Sequence, residues 1–351
     1  MMDQIIENQL IAALAKNFAR PAYQRNALQE SDAELIRLPQ QPDQLLAVSI
    51  DTVAEEIAAG LYADPFTIGW MAVAANLSDL AAVGAQPLGL VLAMTLAQNS
   101  TEEYRRRLTE GVQAACSQAG TFVLGGDTDF GEQTSITGCA IGLVRESRVM
   151  TRVGCGVGDH LFASGPLGAG NAFALVRLSE LPEKSLVKFQ PPARLKEGSI
   201  IAQFASACID SSDGAIAAVD QLMRLNKVGF LITCDWDNLL AATALQVCRK
   251  TGTPPWLMLA GYHGEFELIF TIPEPKLTSF MAATRQSKWQ PTHWGRLTAE
   301  PEIKLAINER VVAIDSARIR NLFSLVGGDV QKYIRELVNL GITYDLNAAT
   351  L

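Results

Sequence analysis

The stretch NLSDLAAVGAQPLGL, residues 76–90, decides the fold, and Asp79 is its only charged residue. Apolar residues recur at helical spacing around it, and the pattern predicts a buried helix over residues 66–84 that ends at Gly84. Asn, Ser and Asp side chains compete for backbone hydrogen bonds and are therefore unfavourable inside a helix. The sequence thus raises the question of why a packed helix accepts three such residues in its middle.

Length and composition are those of a globular protein with more than one core. The chain has 351 residues, of which 48% are hydrophobic and 19% are charged, and a length of this size predicts two domains. The net charge is −8 and no basic cluster occurs, which argues against nucleic acid as the main ligand. If the substrate is anionic, something other than the net charge must hold it, and a divalent cation is the obvious candidate.

The chain carries no sequence signal for export or for a membrane. Residues 1–21 lack a basic region and a long apolar core, so we expect no signal peptide. No run approaches the ~18 apolar residues of a membrane span. The cysteines show no metal-type spacing, and free thiols in a reducing cytoplasm explain them better than disulfides do. They are Cys116, Cys139, Cys155, Cys208, Cys234 and Cys248.

Apolar runs and turn signals predict a chain of mixed α/β and α+β class. In the first part we expect strands at 45–51, 87–96, 120–126 and 134–144, with helices at 66–84 and 101–118. The turn-rich residues 151–160 mark a boundary. Beyond it we expect strands at 160–165, 228–234 and 265–272, and helices near 194–206, 213–225, 240–250 and 275–286. The predicted units are an N-terminal α/β domain over 1–150, a C-terminal α+β domain over 151–320, and a helix and tail over 321–351.

Several aspartates stand where apolar elements end. Asp51 closes a predicted strand, Asp127 follows another, and Asp210 and Asp213 bracket a turn between apolar segments. A single acid at such a place is best explained as a cap or a turn former. Asp79 lies inside a helix and has no such explanation. Together with Asp32, these acids indicate a shared site for a hard cation such as Mg²⁺, which prefers carboxylate oxygens and substrate phosphates.

Five short motifs follow one another in order through these positions. They are SIDT at 49–52, NLSDLAAVGA at 76–85, GGDT at 125–128, MTRVGCGVGD at 150–159 and IDSSDGA at 209–215. In this order they resemble the thiamine-monophosphate kinases, members of the aminoimidazole ribonucleotide synthetase-like superfamily that also includes selenophosphate synthetase. Five ordered matches are far more specific than a single glycine-rich motif.

The resemblance implies an enzyme that binds ATP with several Mg²⁺ ions around its phosphates. The implied metal ligands are Asp32, Asp51, Asp79, Asp127, Asp210 and Asp213. The implied nucleotide contacts are Gly126, Asp127, Arg152 and Ser212, and the expected catalytic residues are Asp213 and Arg152. In this interpretation Asp79 is a metal ligand projected from a buried helix, at a cost in helix propensity below ~1 kcal/mol.

The implied reaction is transfer of the γ-phosphate of ATP to thiamine monophosphate, giving thiamine diphosphate. The acceptor is a phosphate monoester that is mostly ionised at neutral pH, so the transfer needs positioning and charge neutralisation rather than a general base. The resemblance also implies a two-domain fold and a cytoplasmic homodimer. Its N-terminal sheets would meet across the two-fold axis and place the site near the interface.

The departures from the family pattern fall on the acceptor side. A histidine that the family uses for the acceptor is replaced by Ala58. An acid expected to face the acceptor is replaced by Gly264, unless Glu265 shifts to take its place. The segment GPLGAG at 165–170 either cradles an anion at a helix N-terminus or forms a plain strand–helix turn.

Three functions therefore stay open at this point. The motif order favours thiamine-monophosphate kinase itself. The changed acceptor positions would also suit a kinase of the same fold that acts on another small phosphorylated acceptor of a cofactor pathway. A catalytically inactive nucleotide-binding protein is the third, and the six retained acids argue against it.

Overall fold

The computed structural model describes residues 4–179, 187–307 and 309–346, which form two β-sheets with helices packed on them. The strands are β1 (Glu34–Leu38), β2 (Gln41–Thr52), β3 (Gln86–Ala97), β4 (Val123–Gly131), β5 (Ser135–Arg145), β6 (His160–Ala163), β7 (Ala207–Asp210), β8 (Gly229–Thr233), β9 (Leu268–Ile272), β10 (Thr292–Thr298), β11 (Ile303–Ile307) and β12 (Arg310–Ile314). The helices are α1 (Ile6–Ala15), α2 (Ala54–Ala58), α3 (Pro65–Ala82), α4 (Glu102–Ala119), α5 (Ala169–Leu178), α6 (Leu195–Ile201), α7 (Ala215–Asn226), α8 (Trp236–Leu239), α9 (Ala242–Thr251), α10 (Leu257–Ala260), α11 (Glu274–Gln286), α12 (Ser316–Leu325) and α13 (Val330–Thr343). The mixed class predicted from the sequence is confirmed.

The first sheet holds strands in the order β1-β2-β5-β3-β4. β2 pairs antiparallel with β5 and places Asp51 opposite Gly138, whereas β3 and β4 run parallel. Along β5 the residues alternate between buried and half-buried, as expected of a strand with one face on the core. Helix α3 packs on that buried face and α4 packs on α3.

Helix α3 begins at a well-formed cap and lies close to the sheet. The Asp64 carboxylate accepts a hydrogen bond from the Thr67 N–H at 3.0 Å, and Pro65 is the first helical residue. In β5, Gly138 permits the close approach, since a Cβ there would lie 2.4 Å from Asn76 Nδ2. The middle of α3 is therefore held against the strand pair that carries Asp51.

The second sheet has the order β12-β11-β8-β10-β6-β9-β7, and its edge strand corrects one prediction. The helix expected near 194–206 ends at Ile201, and residues Ala207–Asp210 form β7 beside β9. All four residues of β7 are buried, so the short apolar run carries no periodicity that separates a strand from a helix. The carboxyl end of β7 is Asp210. Strands β1, β10, β11 and β12 were also not predicted.

The N-terminal helix α1 is joined to a helix from the last part of the chain. The N–H of Ile6 donates to Asn321 Oδ1 at 3.0 Å, which ties α1 to α12. The predicted C-terminal helix is two helices, since Asp329 caps a second one by accepting from the Lys332 N–H at 2.9 Å. Helix α13 packs on α10 and α12.

In the ranges that the structure describes, no helix is both long and apolar enough to cross a membrane. All six cysteines are free, as predicted, and all but Cys139 are buried.

Candidate functional site

The three polar residues inside α3 each hold a partner outside the helix. Asn76 Oδ1 accepts from the Asp51 N–H at 3.0 Å, and Asn76 Nδ2 donates to the Ala72 carbonyl at 3.1 Å. Ser78 donates to the Asp210 carboxylate at 2.7 Å. Asp79 accepts a hydrogen bond from the Ser49 hydroxyl. The helix therefore fixes the ends of β2 and β7 and adds a carboxylate of its own.

Three carboxylates meet at this point. Oxygens of Asp32, Asp79 and Asp210 all lie within 4.8 Å of one another. Asp32 comes from the loop before β1, Asp79 from α3 and Asp210 from the end of β7. Within the described residues, Asp32 Oδ2 is buried and has no hydrogen-bond partner. A buried carboxylate oxygen without a donor fits a ligand to a cation.

The electrostatics of the cluster are those of like charges held together. Burial, followed by the charges of Asp51, Asp210 and Asp32, raises the pKa of Asp79 well above its usual range. Burial and the charge of Asp32 raise the pKa of Asp210 to about 7, against the lowering effect of its hydroxyl donors. Burial and the charge of Asp210 raise the pKa of Asp51 to about 6, so Asp51 belongs to the same group of acids. A divalent cation would relieve this repulsion.

Arg152 and Ser212 lie directly beside the acids. The Arg152 guanidinium donates to Asp32 Oδ1 from Nη2 at 2.8 Å and from Nε at 3.2 Å. Ser212 donates to Asp210 Oδ1 at 2.9 Å. Asp213 follows in the same turn before α7 and is exposed. Arg152 thus orients a carboxylate of the cluster, and Asp213 faces solvent near it.

The acids form one end of a cavity of about 570 Å³. Asp32, Asp51, Asp79, Asp210 and Asp213 all line it, together with Arg152 and Ser212. The cavity continues away from the acids between α2, α5, α10 and α13, where its walls are apolar and aromatic. A charged ligand part and a flat apolar part can therefore lie in one continuous space.

The aromatic end is built around a neutral histidine. The hydroxyl of Tyr62 lies 3.3 Å from His263 Nε2, and the two ring centroids are 5.7 Å apart. Phe266 lies edge-on to the same histidine. Burial lowers the pKa of His263 to about 4, so the ring carries no charge at neutral pH.

Two of the predicted residues are not brought to the cluster. Gly126 and Asp127 lie in β4, and β5 and β3 separate β4 from the Asp51 strand. Three strand spacings place them about 14 Å from Asp51 within one chain. Asp127 is exposed there. Within one chain the structure brings together Asp32, Asp51, Asp79 and Asp210, with Asp213 nearby, but not Asp127.

The structure shows where the residues at the predicted acceptor positions lie and what surrounds them. Gly264 packs against the turn after β7, since a Cβ there would lie 1.4 Å from the Ser211 carbonyl oxygen. Glu265 does not replace the missing acid, because its carboxylate is buried and accepts from the Gly168 N–H at 2.7 Å. Burial raises the pKa of Glu265 to about 8. Ala58 is exposed at the end of α2.

The segment at 165–170 is a strand–helix turn. Its Gly168 N–H, at the start of α5, is occupied by the chain's own Glu265. None of the described residues that line the cavity lies in the segment 165–170. Of the two alternatives for this segment, the structure supports the turn.

Sequence reasoning missed the residues that position the acids. Asn76 and Ser78 are polar residues in an apolar helix, and that signal was visible in the sequence. Their partners were not visible, because Ser78 and Asp210 are 132 residues apart. The contribution of α13 to the cavity, through residues such as Tyr333 and Leu337, left no motif at all.

Comparison with known proteins gives a consistent picture. Residues 30–144 match the family "AIR synthase related protein, N-terminal domain". The chain is 31% identical over 240 residues to a thiamine-monophosphate kinase of Archaeoglobus fulgidus, covering 65% of this chain and 74% of that protein. It is 30% identical over 284 residues to the thiamine-monophosphate kinase of Escherichia coli (strain K12), covering 77% and 84%.

A solved structure, AaThiL complexed with AMPPCP and TMP, has the same fold. It superposes with a TM-score of 0.70 at 21% sequence identity, covering 90% of this chain and 98% of that one. The aminoimidazole ribonucleotide synthetase-like fold expected from the resemblance is confirmed.

Proposed function

The chain belongs to the thiamine-monophosphate kinase family, and on that premise we propose that it transfers the γ-phosphate of ATP to thiamine monophosphate, giving thiamine diphosphate. The observation that carries the proposal is the cluster of Asp32, Asp79 and Asp210 at one end of a cavity whose other end is aromatic. The acidic end suits the phosphates of a metal–nucleotide complex, and the aromatic end suits a flat heterocycle.

We propose that Mg²⁺ is held by Asp32, Asp79 and Asp210, with Asp51 beside them and Asp213 at the exposed edge. The unpartnered Asp32 Oδ2 and the raised pKa values of Asp79 and Asp210 support this assignment. When bound there, Mg²⁺ neutralises phosphate charge and orients the transferring group.

The chain's own residues supply positioning. Ser78 and Ser212 hold both oxygens of Asp210, and Arg152 holds Asp32 with a free edge for a phosphate oxygen. The acceptor phosphate is already ionised at neutral pH and needs no general base. The neutral His263 lies among aromatic rings and stays outside this proton chemistry.

We propose a homodimer formed through the uncovered face of the first sheet. Exposed apolar side chains lie on β2, directly before β4 and in β4: Ile50 and Phe122 are each 70% exposed, and Leu124 is 58% exposed. An apolar face of this kind is typical of a subunit interface. Gly126 and Asp127 lie in β4, so in such a dimer they sit at the interface, where they can contact the nucleotide.

The proposed domain limits are 1–150, 151–320 and 321–351, with the first domain providing most of the Mg²⁺ and ATP site. Asp210, Ser212 and Asp213 come to that site from the second domain. We further propose a cytoplasmic location, which the six free cysteines support.

The test is a direct assay of the purified chain with Mg·ATP and thiamine monophosphate, with thiamine diphosphate measured by chromatography. We expect turnover that stops when EDTA removes the metal. No turnover alongside tight Mg·ATP binding would favour a different phosphorylated acceptor. No turnover with any phosphorylated acceptor, alongside tight nucleotide binding, would favour a catalytically inactive nucleotide-binding protein, and loss of nucleotide binding would refute the proposed function.

A further inference from the structure

Among the described acids of the cavity wall that the proposed reaction has not used, Glu56 is the half-buried one. Apolar side chains of α5, α10 and α13 and the rings of Tyr62, Phe266 and Tyr333 form most of the aromatic end of the cavity. Glu56, on α2, is part of the same wall. Its neighbour Glu55 also reaches the cavity but is exposed, whereas Glu56 is half-buried.

One oxygen of the Glu56 carboxylate has no partner among the described residues. This atom, Oε2, is buried and accepts no hydrogen bond from any described residue. The backbone carbonyl of Glu56 is used at the end of α2, where it accepts from the N–H groups of Leu61 and Tyr62 at 2.9 and 3.2 Å. The main chain therefore has a structural role at this position, and the carboxylate keeps one oxygen, Oε2, without a structural partner.

The cavity wall offers Glu56 no counter-ion. Among the described lining residues, Arg152 is the only Lys or Arg side chain, and it is paired with Asp32 at the acidic end. His263 is neutral at pH 7. Burial, followed by the charges of Glu55 and Asp51, raises the pKa of Glu56 above its usual value. A buried carboxylate oxygen without a donor or a counter-ion is unfavourable, so a ligand that brings a positive charge or a hydrogen-bond donor is favoured here.

We propose that the aromatic end of the cavity is a subsite for a flat organic cation, and that Glu56 is the residue that selects its charge. Aromatic walls bind planar cations by stacking and by cation–π attraction. The inference rests on the proposed function, under which the cation is the thiazolium ring of thiamine monophosphate. The phosphate of that acceptor then points to the Asp32, Asp79 and Asp210 end of the same cavity.

The subsite also accounts for the missing acid at Gly264. A side chain at 264 would collide with the Ser211 carbonyl, and Glu265 is turned into the α5 terminus. The chain therefore has no carboxylate from that loop in the cavity. Glu56 supplies one from a different element, α2.

The test compares Glu56→Gln with Glu102→Gln, which removes the same charge from an exposed glutamate at the start of α4, outside the described cavity wall. We expect Glu56→Gln to raise the KM for thiamine monophosphate about tenfold or more, the loss typical of a charged hydrogen bond. The kcat and the KM for ATP should stay within about twofold. Because Glu56 Oε2 has no partner to lose, the thermal stability of Glu56→Gln should equal or exceed that of the wild type. Equal KM values in the two variants would overturn the proposal.

A binding experiment separates this inference from the proposed function. Thiamine and deazathiamine, an uncharged isostere with carbon in place of the thiazolium nitrogen, are titrated calorimetrically in the presence of Mg²⁺ and AMPPCP. We expect the wild type to prefer thiamine at least about tenfold and Glu56→Gln to lose that preference. Loss of the preference in a protein that does not phosphorylate thiamine monophosphate would refute the proposed function and keep the subsite. A preference unchanged in Glu56→Gln would refute the subsite, whatever the turnover.

Discussion

Replacing Asp79 by Asn should stabilise the metal-free protein while removing its response to Mg²⁺. Asp79 lies within 4.8 Å of carboxylate oxygens of both Asp32 and Asp210. At an effective dielectric constant of about 20, two unit charges at that distance repel by about 3.5 kcal/mol. Arg152 offsets part of the charge of Asp32, so about 3 kcal/mol is the expected gain at pH 8. Asn is the same size as Asp and still accepts from Ser49.

The raised pKa values of the acids determine whether the stability of the metal-free protein rises or falls with pH. The folded-state pKa values of Asp51 and Asp210 are raised to about 6 and 7, and that of Asp79 is raised further above the unfolded value. An acid whose pKa is raised by folding costs the protein stability as the pH rises from the unfolded pKa to the folded pKa, and the loss is complete above the folded value. Metal-free wild-type protein should therefore lose stability from about pH 4 to about pH 7, so that it is more stable at pH 6 than at pH 8, and Asp79→Asn should lose less.

The assay is thermal unfolding at pH 6 and pH 8, with EDTA or with Mg²⁺. A ligand at about 100 times its dissociation constant adds about 2.7 kcal/mol to the wild type. Asp79→Asn should gain little from the metal. The control is Asp43→Asn, an exposed acid at the outer end of β2, which should behave as the wild type. A metal-free Asp79→Asn that is less stable than the wild type at pH 8, or that responds equally to Mg²⁺, would refute the metal site.

Three further changes test other parts of the structure. Ser78→Ala removes a 2.7 Å hydrogen bond to Asp210 and should weaken Mg²⁺ activation about tenfold in titrations of activity, whereas the exposed Ser117→Ala should not. Gly264→Glu restores the residue type of the family but should destabilise the fold in thermal unfolding, because its Cβ would lie 1.4 Å from the Ser211 carbonyl; improved turnover would contradict the structure. Phe122→Glu should turn the proposed dimer into a monomer in light scattering, and Tyr23→Glu, exposed on a different segment, should not.

The elements predicted correctly are those with a strong local signal. Helix α3 has a capping aspartate and a long apolar pattern, and β2, β3 and β5 are long runs rich in apolar residues. Strand β7 was missed because four buried residues carry no periodicity. Its place beside β9 depends on a partner 60 residues further along the chain, which local patterns do not report.

The residues of the candidate site also differ in whether a local sequence signal reveals them. Asp79 stood out in the sequence because a charged residue in a buried helix is locally unfavourable. The motif that contains Asp127 placed it in the right strand region but could not show that two strands separate it from Asp51. Glu56 left no signal, since a glutamate on a short helix is ordinary until the cavity beside it is known.

The polar residues inside α3 are explained by the need to hold the cation site rigidly. A cation site needs its oxygens fixed to within fractions of an ångström, and side chains on packed helices and strands are held more firmly than those on loops. Asn76 and Ser78 are fully buried, so the strands they hold cannot shift without breaking hydrogen bonds in the core. The same burial that makes the acids repel one another without a metal keeps them in place when it binds. The polar residues cost α3 less than ~1 kcal/mol each in helix propensity. This cost is small beside the repulsion of several kcal/mol between the clustered carboxylates, which a bound cation would replace by attraction between the carboxylates and the cation.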